Sequence, residues 1–475
     1  MTAITIKQFL GGAMAAGLVA GTAAAVGTSV GLSATTADWL LTAEHVLLIG
    51  TDGTNLSKIL QYADNEGSGF KTAMDAGVTG ATTLVNHTTI SGPSWSTILT
   101  GVWDTKTGVL NNLFDPHPYN AWPTVFNLLE AHNPQIETTA IADWDYINGI
   151  AGAGAHPADN NLFVPFQNSW AETDAQVTSD TISQILATTS NPDTSTFMFS
   201  YQVQVDEAGH EFGGGSPQYA QAVVNVGDNI EDILNAVHQA ELATGDQWSV
   251  IITTDHGHQQ SLGVGHGFQS PNETSQFVIF DLAGDHANAG SQNLDYSAVD
   301  ITPTILSLFG APMRSDFDGS PMETDSTILN SLVHPADLSQ ALTAAIAMFG
   351  YPNMGNDISL AIRTVFSSIP YLLNLGFTQI DQPLQSIVDQ NIFLISPLVG
   401  ALQQVVDFAG DVVVDCSGAV ARVVGYLTGA GVIAPTDPPL TGSAESTELP
   451  GWLTADLSEL HSLVGNVDLP WLPEI

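Results

Sequence analysis

The sequence predicts an α/β fold, a doubly wound and mostly parallel sheet with a helical extension at its C-terminal end. Apolar runs of strand length alternate with segments of helical spacing from about residue 43 to residue 322. Several of the runs end in Asp, His or Gly, which is typical of parallel strands that present side chains at one edge of a sheet. A hydrophobic share of 44% in 475 residues is enough for a full core.

The first strand is predicted over residues 46–50, a wholly apolar run followed by Thr51, Asp52 and Gly53. Asp52 is well placed to bind a metal ion, although an Asp before Gly also caps turns and helices. The later elements alternate in type. We expect helices over residues 125–132, 177–187, 219–243 and 298–308, and strands over residues 138–142, 197–205, 249–254 and 276–282.

A short helical stretch lies between Ser91 and Gly101, with Ser91 in the loop that leads into its N-terminus. Such a position favours negative charge, because free backbone N–H groups point at it. Ser91 is therefore either an ordinary helix cap or a nucleophile. No Gly-x-Ser-x-Gly elbow surrounds it, so a metal ion is favoured over a histidine base as its activator.

Three further positions offer metal-ligating side chains. Asp255 and His256 follow the strand over residues 249–254, and a turn at Gly209 would bring Asp206 and His210 onto one cation. His266 lies between two glycines, which predicts a tight, exposed loop. Each position also has a purely structural alternative. His256 could be a loop histidine whose ring is hydrogen-bonded, Asp206 could begin a helix, and His210 and His266 could be surface histidines. Neighbouring side chains are expected to support the ligands, namely Glu207 and His258.

The order of these residues resembles the alkaline phosphatase superfamily, and most closely its nucleotide pyrophosphatase/phosphodiesterase (type I phosphodiesterase) branch. Residues 91–94 with 100–101 are similar to that family's Thr-x-Pro-Asn…Thr-Gly nucleophile loop. Residues 107–116 are similar to its His-Gly-Ile…Asn…Asp-Pro segment. Residues 206–210 and 254–257 are similar to its Asp-x-x-Gly-His and Ser-Asp-His-Gly metal motifs.

The resemblance implies an alkaline phosphatase-like catalytic domain over residues 43–322 that holds two divalent metal ions, expected to be Zn²⁺. One zinc would be held by Asp52, Asp255, His256 and Ser91, and the other by Asp206, His210 and His266. Ser91 would be the covalent nucleophile. Ser94 and Asn112 would contact substrate. Lys106, the one cation near the nucleophile loop, would contact phosphate or remain a solvated surface residue.

The sequence also departs from the family pattern. Ser91 and Ser94 stand where the diesterases usually have Thr and Asn, and Thr107 replaces the first His of His-Gly-Ile. The superfamily's monoesterases use an active-site Arg, but no Arg precedes Arg314, and the sulfatase motif also needs an Arg that residues 91–95 lack. Two divalent cations would balance three carboxylates and a serine alkoxide. This balance suits a singly charged diester better than a monoester dianion.

The predicted function is therefore that of a secreted, metal-dependent hydrolase that cleaves phosphodiester or pyrophosphate bonds through a phosphoserine intermediate. Its substrate would be a small phosphodiester or a nucleotide. Two alternatives remain open: a phosphomonoesterase or phosphonate hydrolase of the same superfamily, and a non-enzymatic surface protein on this scaffold.

Composition limits the partners and the compartment. Only 7 Lys and Arg stand against 49 Asp and Glu, a net charge of −42, which argues against DNA or RNA binding. Residues 1–40 contain a long uncharged run after Lys7 and are predicted to be a signal peptide or N-terminal anchor, which implies a secreted or cell-envelope protein. The single Cys416 excludes an intramolecular disulfide.

The C-terminal region lies outside the resemblance. Residues 323–433 are predicted to form a helical accessory region, and residues 434–475 a Pro/Ser/Thr-rich linker and tail. The accessory region either packs on the catalytic domain or associates with the cell envelope. Asp415 and Arg422 argue against a membrane span over residues 412–433. Helical spacing is found over residues 338–348, 358–365, 380–388 and 399–409.

Overall fold

A computed structural model describes residues 44–62, 68–261, 263, 265–389 and 395–430. The predicted N-terminal signal and the predicted linker and tail lie outside these residues and stay predictions.

A single sheet organises the described residues. Its strand order is β4-β3-β5-β1-β6-β7-β2-β8, and the chain crosses over between neighbours in most steps. All neighbours pair in parallel except β7, which is antiparallel to both β6 and β2. The predicted doubly wound, mostly parallel sheet is thus confirmed. The strands are β1 (His45–Thr51), β2 (Val78–Thr83), β3 (Glu137–Ala142), β4 (Asn160–Phe163), β5 (Thr196–Gln202), β6 (Trp248–Thr253), β7 (Ser275–Asp281) and β8 (Ser291–Gln292).

Strand β1 lies near the middle of the sheet and is buried along its whole length. Its side chains alternate between the two faces, so that Val46 and Leu48 join one hydrophobic core and Leu47 and Ile49 join the other. Helices cover both faces, which explains why this strand is apolar at successive positions rather than at alternate ones.

Most predicted helices are present, several with nearly the predicted ends. The helices are α1 (Leu56–Tyr62), α2 (Gly69–Ala76), α3 (Ser91–Thr100), α4 (Asp104–Thr107), α5 (Pro118–Ala121), α6 (Val125–His132), α7 (Asp145–Gly152), α8 (Trp170–Thr188), α9 (Gln204–Phe212), α10 (Pro217–Thr244), α11 (Pro271–Thr274), α12 (Ile301–Leu308), α13 (Ser326–Asn330), α14 (Leu338–Met348), α15 (Met354–Asp389) and α16 (Ile395–Leu427). A short 3-10 helix, Ala298–Asp300, precedes α12.

The C-terminal region departs most from the prediction. The two helices expected over residues 358–365 and 380–388 are parts of the single helix α15, which continues through Pro370 and Pro383. Helix α15 packs along α16. Among the described residues, one helical segment, Met354–Ser386, is long and apolar enough by length and composition to cross a membrane.

The carboxyl ends of β5, β1 and β6, three adjacent strands, meet at one edge of the sheet. The loop after β1 carries Asp52, the helix after β5 carries Asp206, and the loop after β6 carries Asp255. Residues separated by some two hundred positions in the sequence are thereby brought together at the edge where open α/β sheets bind ligands.

Candidate metal centre

The first group of ligating side chains combines the ends of β1 and β6. Asp52, Asp255 and His256 are fully buried, and their donor atoms lie within 4.8 Å of one another. The Nε2 atom of His256 is 3.2 Å from Asp255 Oδ2 and 3.6 Å from Asp52 Oδ1. Two carboxylates and one imidazole nitrogen form a donor set suited to a divalent cation such as zinc.

Ser91 lies directly beside this group, at the first position of α3. Its Oγ is 3.1 Å from His256 Nε2 and 3.4 Å from Asp52 Oδ1. Ile90 holds the N-cap position of α3, and the Ser91 hydroxyl is paired with Asp52 and His256, so the cap alternative does not describe Ser91. Gly101 ends the helix, as predicted, and adopts the left-handed conformation.

Two aromatic side chains hold Asp52 in place. The Trp95 indole N–H donates to Asp52 Oδ2 at 2.8 Å, and the Tyr201 hydroxyl donates to the same oxygen at 2.5 Å. Trp95 lies one helical turn after Ser91, and Tyr201 pairs with Gly50 in the neighbouring strand. Neither residue was among the predicted site residues, although the position of Trp95 one turn after Ser91 offered a signal.

The second group consists of Asp206, His210, His258 and His266, whose donor atoms also lie within 4.8 Å of one another. Asp206 Oδ2 is 3.2 Å from His210 Nε2, while Asp206 Oδ1 is 3.2 Å from His258 Nε2 and 3.6 Å from His266 Nε2. One carboxylate and three imidazoles therefore converge. This is again a donor set that a zinc ion accepts.

Helical geometry brings Asp206 and His210 together, which differs from the turn at Gly209 expected from the sequence. Both residues lie on α9, one turn apart on the same face. Gly209 stays within the helix, and a Cβ atom at this position would collide with the His258 ring. Glycine is thus needed here for the close approach of α9 to His258 rather than for a turn.

Backbone carbonyls orient two of the histidines. His266 Nδ1 is 2.6 Å from the Thr89 carbonyl oxygen, and His256 Nδ1 is 3.0 Å from the Gly257 carbonyl oxygen. Only a protonated Nδ1 can donate to a carbonyl, so each neutral ring presents an unprotonated Nε2 to its group. His266 is buried and stacks on His256 at 3.9 Å, which corrects the expectation that His266 lies in an exposed loop.

Burial and neighbouring charges shift the pKa values of the titratable groups in the site. Burial raises the pKa of Asp52 to about 7 and raises the pKa of Asp255 well above its usual range. Burial likewise lowers the pKa of His256 to about 4. The charge of Asp206 raises the pKa of His210 to about 9. Anionic Asp52 and Asp255 with neutral His256 would need a compensating positive charge.

Unpaired polar atoms provide a test of whether a metal ion fits. Asp206 Oδ1, Asp255 Oδ2 and both ring nitrogens of His258 are buried without a hydrogen-bond partner. Buried polar groups are normally paired, because an unpaired one costs about 1–3 kcal/mol. A metal ion ligated by these atoms would satisfy one unpaired carboxylate oxygen in each group. The residues therefore fit the implied cations.

His258 is the residue whose position changes the predicted ligand set. It was expected beside the ligands, yet it is fully buried and faces Asp206 as closely as His210 does. Its place two residues after His256 was a signal, since residues two apart in an extended segment point to the same side. We infer that His258 either replaces one of the predicted ligands of the second group or is an additional ligand there.

His258→Ala is accordingly expected to weaken zinc binding by about 10- to 100-fold, the loss typical of a ligand or of a residue that orients one. Zinc titration against a competing chelator measures the effect. His238→Ala is the matched control, because His238 is exposed on α10. Equal zinc affinity in the His258 variant and the wild type would remove His258 from the site.

A cavity of about 280 Å³ opens onto both groups. Its lining comprises Asp52, Ile90, Ser91, Asn111, Asn112, Trp144, Tyr201, Val203, Asp206, Glu207, His210, His266, Gly267, Thr364, Ser368, Tyr371 and Leu372. Asn112, a predicted substrate contact, is among these residues, and its Oδ1 accepts a hydrogen bond from Gly92 N at 2.8 Å. Glu207 also faces the cavity instead of standing behind a ligand.

The other two predicted substrate contacts are not brought to the cavity. The Ser94 hydroxyl is buried, does not line this cavity and donates to the Thr88 carbonyl. Lys106 forms an ion pair with Asp318 and also donates to the Asp316 carbonyl. In a sequence with so many Asp and Glu residues, a lysine is expected to form an ion pair with a nearby carboxylate. The short sequence separation between Lys106 and Ser91 therefore did not indicate a phosphate contact.

Comparison with known families agrees with this arrangement. A sequence profile of the family described as type I phosphodiesterase / nucleotide pyrophosphatase matches residues 46–267. The match spans β1 to His266 and includes every predicted ligand of both groups. The predicted resemblance to this family is thus confirmed over these residues.

No curated protein matches the sequence. Among solved structures, murine ectonucleotide pyrophosphatase/phosphodiesterase 5 in complex with AMP is 14% identical, covers 61% of this chain and 100% of its own, and has a TM-score of 0.46. Ps i-CgsB in complex with k-i-k-neocarrahexaose is 15% identical, with coverages of 59% and 75% and a TM-score of 0.46. The phosphonate monoester hydrolase of Agrobacterium radiobacter is 13% identical, with coverages of 59% and 76% and a TM-score of 0.43.

Proposed function

We propose that this protein is a zinc-dependent hydrolase of phosphodiesters in which Ser91 is the nucleophile. The observation that carries the proposal is the position of the Ser91 hydroxyl. Its oxygen is within 3.4 Å of Asp52 and His256, it stands at the start of α3, and it lines the same cavity as Asp206 and His210. A nucleophile needs such neighbours to lose its proton near neutral pH.

The residues that would hold the cations follow from the two groups. Asp52, Asp255, His256 and Ser91 would hold one, and Asp206, His210 and His266 with His258 would hold the other. Mixed carboxylate and imidazole donors favour zinc over magnesium or calcium, which prefer oxygen ligands alone. The bound cations would lower the pKa of the Ser91 hydroxyl and offset the negative charge of the phosphoryl group.

The chain's own groups orient the reacting atoms. Trp95 and Tyr201 fix the Asp52 carboxylate, so that its Oδ1 faces the Ser91 hydroxyl. The Gly92 N–H fixes the Asn112 amide through its Oδ1, and we assign the Nδ2 group of Asn112 as a donor to a phosphoryl oxygen. The N-terminus of α3 favours the negative charge that develops at Ser91 during attack.

The cavity favours a diester over a monoester because it lacks permanent cations. None of the described residues that line it is Lys or Arg. The basic residues nearest in sequence or space are engaged elsewhere: Lys106 pairs with Asp318, Arg314 with Asp316, and Arg363 with Asp104. A second negative charge on a monoester would therefore lack an arginine partner among the described lining residues.

The test is a direct comparison of bis-p-nitrophenyl phosphate with p-nitrophenyl phosphate, using the zinc-loaded full-length protein. We expect kcat/KM for the diester to exceed that for the monoester by at least about tenfold, the effect of one missing charge-assisted hydrogen bond to the dianion. Equal or faster monoester turnover would favour a phosphomonoesterase. Failure to hydrolyse either ester with zinc present would favour a non-enzymatic role.

A further inference from the structure

The C-terminal helix α15 supplies one wall of the cavity that contains Ser91. Thr364, Ser368, Tyr371 and Leu372 all line it. Their spacing of four, seven and eight residues from Thr364 places them on one face of the helix. Helix α15 lies well beyond residue 267, where the family match ends. The wall is therefore a feature that the family pattern does not assign.

Helix α15 is fixed to the loops that carry the site residues. Thr364 Oγ1 donates to the carbonyl of Gly267 at 2.6 Å, directly after His266. The Asn111 side chain, next to Asn112, donates to the Ser367 carbonyl at 2.6 Å. A buried ion pair between Arg363 and Asp104 ties the same turn of α15 to the region after α3.

Apolar side chains continue from the cavity along the exposed surface of α15. Leu372 lines the cavity and is still 61% exposed, so it stands at the rim. Val365 and Ile369 before it and Leu375 after it lie at helical spacing from Leu372 and are 37–53% exposed. No charged residue occurs between Arg363 and Asp381. We call Val365, Ile369, Leu372 and Leu375 the α15 stripe. Contiguous exposed apolar surface beside a binding site indicates an apolar ligand or partner.

The lining of the cavity also indicates an apolar ligand. Trp144, Tyr371 and Leu372 offer apolar surface close to Ser91. The absence of Lys and Arg among the described lining residues leaves a polyphosphate chain without cationic partners beyond the metal groups. A phosphodiester with a single negative charge and an apolar chain matches both features.

We propose that the substrate is an amphiphilic phosphodiester, with its phosphate at Ser91 and its alkyl or acyl chain passing over Leu372 onto the α15 stripe. This inference rests on the proposed function. The Ser91 oxygen would bond to phosphorus as the bond to the leaving alcohol breaks, and the alcohol would depart with a proton. Water would then cleave the phosphoserine, which regenerates the hydroxyl and releases the other half of the substrate as a phosphate monoester.

The experiment compares p-nitrophenyl alkyl phosphates that carry methyl, butyl or octyl groups, each below its micelle-forming concentration, with the zinc-loaded full-length protein. We expect kcat/KM to rise by at least about tenfold from methyl to octyl, because burial of apolar surface on the protein favours the longer chain. In Leu372→Asn the octyl-to-methyl ratio should fall at least about fivefold.

Control variants separate the contribution of α15 to chain-length preference from general effects of replacing an exposed leucine. Leu242→Asn, on the exposed end of α10 and 73% exposed, should keep the wild-type ratio. Leu375→Asn is the second test variant should Leu372→Asn fail to fold, because Leu375 lies outside the cavity lining. A ratio that stays at the wild-type value in both stripe variants would overturn the assignment to α15.

Failure of this inference is distinguishable from failure of the proposed function. Turnover of the methyl ester without any gain for octyl would overturn the amphiphilic substrate and leave Ser91 chemistry intact. No turnover of any ester would overturn both. Placing the octyl ester in phosphatidylcholine vesicles identifies the source of the substrate. Faster turnover in vesicles supports a lipid surface, and faster turnover of the free ester supports an amphiphile taken from solution.

Discussion

Replacement of Ser91 by Ala is expected to lower kcat/KM for bis-p-nitrophenyl phosphate by about a thousandfold or more, because the variant has lost its attacking oxygen. Zinc binding by the second group should persist, since Asp206, His210 and His266 do not depend on Ser91 for their geometry. Steady-state kinetics and zinc content measured on the same preparation give both results. In the wild type, acid quenching during turnover should trap a phosphoryl group on Ser91, detectable by peptide mass.

Ser94→Ala is the matched control for this prediction. Ser94 lies on the same helix, is buried, and donates its hydroxyl hydrogen to Thr88 instead of facing the cavity. Its loss should cost about 1 kcal/mol of folding stability and leave turnover near the wild-type rate. A Ser91→Ala variant as active as Ser94→Ala would rule out serine as the nucleophile.

Asp206→Asn is expected to have an effect of similar size, with zinc loss as its cause. Asp206 contacts His210, His258 and His266, so this one carboxylate connects the whole second group. Loss of its charge should lower kcat/KM by about a thousandfold, and removal of zinc from the wild type by a chelator should do the same. Asp75→Asn, an exposed carboxylate change on α2, should alter neither activity nor zinc content.

Zinc binding should also release protons. Their number equals the number of ligating groups that carry a proton in the metal-free protein. Near pH 6 the metal-free Asp52 and His210 each carry a proton, because the pKa of Asp52 is raised to about 7 and the pKa of His210 to about 9, while burial also raises the pKa of Asp255. His256 and His266 are neutral already, since burial lowers the pKa of each. Titration calorimetry in buffers of different ionisation enthalpy should count at least about two protons at that pH, and fewer as the pH rises past the pKa of Asp52. Zinc binding without proton release would contradict this electrostatic account.

Sequence patterns predicted the parts of the fold that carry strong local signals. The buried runs of β1 and β6 and the helices α6 and α14 needed only apolar periodicity and length. Strand β2 was missed because Val78–Thr83 lacks an apolar run: Val78 and Ala81 are its only apolar side chains, and it contains Gly80. The strand is buried between its neighbours β7 and β8. Helix α15 was divided in two at a gap that contains Pro370; a proline normally interrupts a helix, yet α15 continues through this one.

The site was predictable to the extent that it follows strand ends. Asp52, Asp255 and His256 are delivered directly by β1 and β6, and the order of motifs suggested their convergence with Ser91 and Asp206. The partners that need three-dimensional proximity were not visible in the sequence. His258 facing Asp206, Tyr201 on Asp52 and the α15 wall all join residues more than fifty positions apart, and no local pattern specifies those contacts.

The central claim is that the two groups bind divalent cations beside Ser91, and anomalous X-ray scattering at the zinc edge from crystals of the zinc-loaded protein tests it most directly. We expect two anomalous peaks, one among Asp52, Asp255 and His256 and one among Asp206, His210 and His266. Active crystals with no anomalous peak at either group would contradict it.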